Sequence, residues 1–185
     1  MSLIHNNNFK WYHYRDNFLS QEQCSKLIEE IDNASEKPED RFWSDSKIEK
    51  AVKLNDIEVC DESLVDKYWK LFKLVNINYN FHITGIQRNG VYGKRYSTDW
   101  TEDKFPHTDF SAGEGKYVDS TTKFTCVTYL SDDMEGGELQ VTNDKIPVEV
   151  GRAIIFPSFT NHKVMQFYNK NRYVLVCFAE GNTFK

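Results

Sequence analysis

Paired cysteines and long apolar runs are both missing from this sequence of 185 residues. Its four cysteines stand singly, without a C-x-x-C pair, which disfavours disulfides and zinc sites and favours buried free thiols. No apolar run is long enough to span a membrane, and the polar segment 1–8 lacks the apolar core of a secretory signal. We therefore expect a cytosolic protein without a membrane partner.

Basic residues are not in excess either. The formal net charge is −5 and the isoelectric point is near 5.6, so the chain lacks the basic surface with which nucleic-acid-binding proteins neutralise phosphates. A small basic group at Arg88, Lys94 and Arg95 is more simply interpreted as solvated surface charge. We expect no nucleic-acid partner.

The length of the chain and the absence of repeats indicate a single domain over residues 1–185. Its N-terminal part, at about 1–76, contains the segments with helical periodicity. Its core, at about 77–181, consists mostly of alternating or fully apolar segments separated by turn residues, which are typical of strands.

Two amphipathic helices are predicted in the N-terminal part. Ser20 and Gln23 form a capping box, and the apolar residues that follow recur at helical spacing, so residues 20–34 should form a helix packed outside the sheet. Residues 62–75 show the same spacing, with lysines on the opposite side.

Several strands are predicted in the core. Residues 173–178 are apolar on both faces, which is typical of a central strand. Residues 152–156 form a second strand that ends in a short polar turn. The pair Asn143-Asp144 predicts a hairpin turn between strands at 139–141 and 146–150.

Three side chains could bind one metal ion. On a strand, residues i and i+2 point the same way, so His107 and Asp109 can bind one metal ion. His162, the candidate for the third ligand, follows the strand at 152–156. Two imidazoles and one carboxylate form the facial triad of non-heme Fe(II) oxygenases, which leaves three positions open on the metal. A single H-x-D arises easily by chance, and a lone histidine is more often a surface or core residue.

Arg172 lies ten positions after His162 and opens the apolar run at 173–178. A guanidinium in such a strand would be buried, and burial is costly unless the group meets a planar anion such as a carboxylate. Alternatively, Arg172 lies at an exposed start of the strand and pairs with an acidic surface residue.

From about Phe18 onward, the sequence resembles the 2-oxoglutarate/Fe(II)-dependent dioxygenases of the prolyl 4-hydroxylase-like group. The matching pieces occur in the order that the family shows. They are residues 18–24, the tyrosines Tyr92 and Tyr96, His107-Thr108-Asp109, residues 124–130, 135–139 and 150–158, and then His162 and Arg172.

This resemblance implies a mainly β fold with flanking helices, whose core is a double-stranded β-helix (a cupin-like jelly roll). It implies that His107, Asp109 and His162 bind Fe(II) and that Arg172 binds the cosubstrate 2-oxoglutarate. A tyrosine on the preceding strand contacts the distal carboxylate in related enzymes, and Tyr96 is our first candidate for this role and Tyr92 our second. Ascorbate would sustain the activity.

The resemblance also implies hydroxylation of an unactivated C–H bond, with release of succinate and CO2, and it favours a peptidyl proline as substrate. The alternatives are a hydroxylase of a free amino acid or small metabolite, and a non-catalytic sensor that binds 2-oxoglutarate. Trp100 and Tyr117 lie in the loops 97–105 and 111–120, where they either line a substrate groove or anchor the loops. The oligomeric state is left open.

Overall fold

The computed structural model describes residues 10–35, 48–55, 57–59, 62–98, 106–110 and 121–183. Two helices occur in these ranges, α1 (Gln21–Asn33) and α2 (Leu64–Asn76). The strands are β1 (His13–Arg15), β2 (Ile48–Lys53), β3 (Glu58–Val59), β4 (Glu62–Ser63), β5 (Ile83–Tyr96), β6 (Thr122–Tyr129), β7 (Glu135–Gly136), β8 (Leu139–Val141), β9 (Asp144–Ile146), β10 (Ala153–Pro157), β11 (His162–Val164), β12 (Phe167–Tyr168) and β13 (Arg172–Gly181).

Six strands form one large antiparallel sheet in the order β1-β10-β6-β13-β5-β2. A three-stranded sheet, β11-β8-β9, and the pair β12-β7 face it. Side chains from the large and small sheets share one buried cluster, which includes Val127, Val174, Leu139 and Val164. The two layers therefore enclose a common interior, as in a double-stranded β-helix.

The large sheet has a buried cluster on each face, because successive side chains on a strand alternate. On β13, Val174 and Val176 belong to the inner cluster, between the sheets. Leu175 and Cys177 belong to the outer cluster, which both helices cover. This strand lies between β6 and β5, so the predicted central strand is confirmed.

Helix α1 begins at the predicted capping box. The Ser20 hydroxyl accepts from the Gln23 backbone N–H at 3.2 Å, and the Gln23 side chain accepts from the Ser20 N–H at 2.8 Å. The helix buries its predicted apolar face and packs against β5, where a side chain in place of Gly93 would overlap Ile31. Both the helix and its position outside the sheet are therefore as predicted.

Helix α2 begins later than predicted. Glu62 and Ser63 pair with β3 as the short strand β4, and Ser63 then caps the helix by accepting from the Asp66 backbone N–H at 3.1 Å. The helix packs on the outer face of the sheet, where the buried Tyr68 hydroxyl lies 2.6 Å from the Thr128 hydroxyl. Among the described residues, neither helix combines the length and the apolar character that crossing a bilayer requires.

Two details of the N-terminal part and of the hairpin differ from the sequence-based expectation. Strands β1 and β2 lie in the part predicted from helical periodicity, and they form the two edges of the large sheet. Strand β9 ends at Ile146 instead of continuing to residue 150, because Pro147 lacks the N–H that a further ladder bond would need.

The cysteines are free thiols where the structure describes them. Cys24, Cys126 and Cys177 are buried and unpaired, as predicted, and burial raises the pKa of Cys24 to about 11. Cys60 lies outside the described residues.

Candidate metal centre

His107, Asp109 and His162 lie together at one end of the barrel interior. One ligand atom from each can be chosen so that all three lie within 4.8 Å of one another. The His107 Nε2 is 3.7 Å from one Asp109 carboxylate oxygen, and the His162 Nε2 is 3.4 Å from the other. The structure thus brings together the three side chains that the sequence motif singled out, with the donor set of a facial triad.

The backbone around the two histidines is paired, although not as a regular strand. His107 and His162 form an isolated bridge, in which each N–H donates to the other's carbonyl at 3.0 Å. The Asp109 N–H donates instead to the Ser158 carbonyl at 2.9 Å. The strand predicted for residues 107–109 is therefore wrong, because the chain leaves His162 after a single bridge and follows the turn at Ser158.

Hydrogen bonds with residues outside the triad orient Asp109 and His162. The Thr125 hydroxyl donates to Asp109 Oδ2 at 2.7 Å and lies 3.0 Å from the Ser158 hydroxyl. The His162 Nδ1 donates to the Thr160 carbonyl at 3.0 Å, so its proton sits on Nδ1 and the Nε2 lone pair is available to a metal. These partners fix both the carboxylate rotamer and the imidazole tautomer.

A cavity extends from the triad into the barrel. Its middle is apolar and is lined by six side chains from both sheets, namely Val127, Leu139, Val164, Val174, Val176 and Phe178. Polar groups lie at its two ends, with the triad and Thr125 at one and Arg172 and Tyr96 at the other. A narrow apolar cavity with polar ends suits a short molecule that carries a charge at each end.

Arg172 is completely buried, so the alternative of an exposed strand start is wrong. Its Nε donates to the Gly137 carbonyl at 3.1 Å. Its Nη1 and Nη2 are buried and have no hydrogen-bond partner in the part of the chain that the structure describes. Two unpaired guanidinium donors are costly, and they fit a carboxylate ligand with two parallel hydrogen bonds.

Two tyrosine rings flank this guanidinium. The rings of Tyr96 and Tyr129 lie 5.5 Å and 5.4 Å from the Arg172 Cζ. Tyr96 is directly opposite Arg172 in the β5–β13 ladder and lines the cavity. Tyr92, the second candidate, is buried on the same face of β5 but does not line the cavity, and its ring lies against Gly90.

Sequence reasoning overlooked Tyr129. Burial raises its pKa, and the positive charge of Arg172 opposes this shift. Its hydroxyl accepts from the Leu139 backbone N–H at 2.7 Å. The alternation of β6 was the available signal, because it places Tyr129 on the same face as Thr125 and Val127.

Lys94 is a second residue that the sequence analysis placed wrongly. It was assigned to a basic surface group, whereas it is 4% exposed and lines the cavity. Its neighbour Arg95 points outward and pairs with Asp32 and Glu49. The loop residues Trp100 and Tyr117, considered for a substrate groove, lie outside the described residues.

Comparison with known families identifies this arrangement. A model of the 2OG-Fe(II) oxygenase superfamily matches residues 94–180, the part that holds the triad and Arg172. This segment, 87 of the 185 residues, is therefore similar to that superfamily. The predicted enzyme class, a 2-oxoglutarate-dependent non-heme iron dioxygenase, and its cofactors, Fe(II) and 2-oxoglutarate, are those of this superfamily. No curated protein sequence matches the chain at a significant level.

Solved structures share the fold at low sequence identity. One is the viral collagen prolyl hydroxylase of Paramecium Bursaria Chlorella virus-1, in complex with 2-oxoglutarate. It is 16% identical in sequence and has a TM-score of 0.69, and the match covers 95% of this chain and 98% of the viral chain. A prolyl-4-hydroxylase of Pseudomonas putida is 16% identical with a TM-score of 0.67, covering 94% of each chain. A prolyl hydroxylase of Trichoplax adhaerens, bound to a hypoxia-inducible-factor peptide fragment, is 17% identical in sequence and has a TM-score of 0.60. The match covers 94% of this chain and 84% of the Trichoplax chain. The predicted jelly-roll fold is confirmed.

Proposed function

We propose that this 2OG-Fe(II) oxygenase hydroxylates a peptidyl proline. In this proposal, His107, Asp109 and His162 bind Fe(II), and Arg172 binds the distal carboxylate of 2-oxoglutarate beside Tyr96. The observation that carries it is a cavity with three metal donors at one end and a buried guanidinium with two unpaired donors at the other. The distal carboxylate would satisfy these donors.

When bound, Fe(II) and 2-oxoglutarate would supply the oxidation with dioxygen as the oxidant. One oxygen atom of dioxygen would enter succinate as 2-oxoglutarate loses CO2, and the other would convert a substrate C–H bond to an alcohol. The protein's own residues position the reactants. Thr125 holds the Asp109 carboxylate in place, and Thr160 fixes the His162 tautomer. The apolar walls between the triad and Arg172 keep water away from the cosubstrate.

The similar structures support a proline-containing peptide as the substrate. The three named above are prolyl hydroxylases, and one of them holds a peptide.

The proposed substrate class can be tested by following succinate formation with Fe(II), ascorbate and 2-oxoglutarate. We expect proline-rich peptides to increase succinate release above the rate without substrate, and free proline to leave it unchanged. Mass spectrometry should find one added oxygen atom on a peptide proline. Stimulation by free proline alone would show a small-molecule hydroxylase, and tight 2-oxoglutarate binding without any turnover would show a sensor.

Thr125→Val tests the hydrogen bond that orients Asp109. Valine has nearly the same shape as threonine but cannot donate to the carboxylate, so we expect metal affinity to fall by about 10- to 100-fold. Calorimetric titration with Mn(II) measures this affinity. Thr128→Val is a matched control, because Thr128 lies on the outer face of the same strand and bonds Tyr68. It should change stability and leave metal affinity unaltered, and equal metal affinity in both variants would contradict the proposed role of Thr125.

A further inference from the structure

The turn that follows β10 contacts two of the three candidate metal ligands. The Thr160 N–H closes the turn by donating to the Pro157 carbonyl at 2.8 Å. The Thr160 carbonyl accepts from the His162 Nδ1 at 3.0 Å, and the Ser158 carbonyl accepts from the Asp109 N–H at 2.9 Å. This one turn therefore positions parts of both distant segments that carry the ligands.

The side chain of Ser158 lies on the same face of the sheet as Thr125. Ser158 is two residues after Phe156, which belongs to the inner cluster and is opposite Thr125 in the ladder of β10 and β6. The Ser158 N–H donates to the Lys123 carbonyl at 3.0 Å, so the register of the two strands continues to this residue. Ser158 is thus a diagonal neighbour of Thr125, and their hydroxyl oxygens are 3.0 Å apart.

The direction of the hydrogen bonds follows from the number of protons available. Thr125 has a single hydroxyl proton, which it donates to Asp109 Oδ2 at 2.7 Å because a carboxylate can only accept. The bond between the two hydroxyls is therefore donated by Ser158. Ser158, Thr125 and Asp109 form a chain in which each hydrogen bond polarises the next.

Both hydroxyls of this chain are shielded from solvent. Ser158 is 0% exposed and Thr125 is 2% exposed. Bulk water does not compete for hydrogen bonds at such buried positions, and a lost partner there is not easily replaced. The orientation of the Asp109 carboxylate therefore depends on two side chains that are not themselves metal ligands.

We propose that Ser158 is a positioning residue for metal binding that acts on Asp109 through Thr125. This inference rests on the proposed function of the triad as a metal site. The Ser158 carbonyl holds the backbone of Asp109, and the Ser158 hydroxyl holds the Thr125 hydroxyl in the orientation that donates to the carboxylate. One residue outside the ligand set thereby determines both the position and the orientation of one ligand.

A double-mutant cycle with Thr125→Val tests this chain of hydrogen bonds. Calorimetric titration gives the Mn(II) affinity of the wild type, Ser158→Ala, Thr125→Val and the double variant, so no turnover is needed. We expect Ser158→Ala alone to lower Mn(II) affinity by about three- to tenfold, as the loss of one neutral hydrogen bond does. In the Thr125→Val protein, the same substitution should change the affinity by less than about twofold, because the chain is already interrupted.

A control variant and a spectrum separate positioning from a general structural role. Ser131→Ala removes a serine hydroxyl that accepts from the Tyr173 N–H at 3.1 Å and does not line the cavity. It should lower the melting temperature and leave Mn(II) affinity unchanged. The electron paramagnetic resonance spectrum of bound Mn(II) depends on the arrangement of its ligands. It should change in Ser158→Ala and in Thr125→Val, and it should keep the wild-type form in Ser131→Ala.

Two outcomes would overturn the proposal. Additive losses in the cycle would show that Ser158 affects the metal site independently of Thr125, and wild-type Mn(II) affinity in Ser158→Ala would show that its hydroxyl has no positioning role. Asp109→Ala separates either failure from failure of the proposed function. If Asp109→Ala also keeps wild-type Mn(II) affinity, the triad is not the metal site at all.

Discussion

Asp109→Ala should reduce succinate formation by more than about 100-fold, since loss of partners outside the ligand set already costs 10- to 100-fold in metal affinity or activity. The variant keeps two imidazoles but loses the carboxylate, which lies 3.7 Å and 3.4 Å from their Nε2 atoms. It also loses the negative charge that partly neutralises a divalent ion. Mn(II) titration and succinate formation should therefore both report the loss.

The fold should survive this change, because Asp109 is partly exposed and its backbone N–H still donates to Ser158. Circular dichroism and the melting temperature of the metal-free protein check this point. Asp132→Ala removes an exposed carboxylate outside the cavity and is the matched control. If Asp109→Ala kept wild-type metal affinity and turnover, the assignment of the metal site would be wrong.

Arg172→Met should raise the 2-oxoglutarate concentration for half-maximal rate by about 100-fold or more, because it removes two charge-assisted hydrogen bonds of about 1.5–3 kcal/mol each. The rate at saturating 2-oxoglutarate should fall much less, since the triad is unchanged. Steady-state kinetics at several 2-oxoglutarate concentrations separate KM from kcat. Methionine fills much of the space that a fully buried arginine leaves.

Arg172→Lys and Arg152→Met are the comparisons for this result. The lysine variant keeps the charge without the paired donors and should lie between wild type and Arg172→Met. Arg152 is also buried, but it bonds Asp16, Glu149 and the Pro147 carbonyl and does not line the cavity. Arg152→Met should lower stability and leave KM unchanged. An unchanged 2-oxoglutarate requirement in Arg172→Met would contradict the proposed anchor.

Local sequence signals predicted the elements that are stabilised by interactions between residues close together in the sequence. The capping box of Ser20 and Gln23 determines where α1 begins, because both hydrogen bonds span three residues. The apolar run after Arg172 predicted a buried central strand, and the arginine at its start is indeed fully buried. The convergence of His107, Asp109 and His162 was predicted from a known motif, since no local signal connects residues so far apart.

The sequence could not determine which residues of a strand buried on both faces point into the barrel. In β5, the adjacent basic residues Lys94 and Arg95 lie on opposite faces, and they look alike in the sequence until α1 and Asp32 define the outer face. Short edge strands such as β1 are equally hard to predict, because their pairing with β10 depends on a distant partner. Tertiary context decides both features.

The reciprocal backbone bridge between His107 and His162 has a consequence for how the protein folds. Before that bridge closes, a partly folded chain offers a metal only the histidine and carboxylate of one short segment, which form a weak chelate. Tight metal binding therefore requires that the two distant segments have already paired. The metal ion then stabilises the folded barrel and does not nucleate its folding. The time course of Mn(II) binding during refolding would show when β11 pairs with the segment at residue 107.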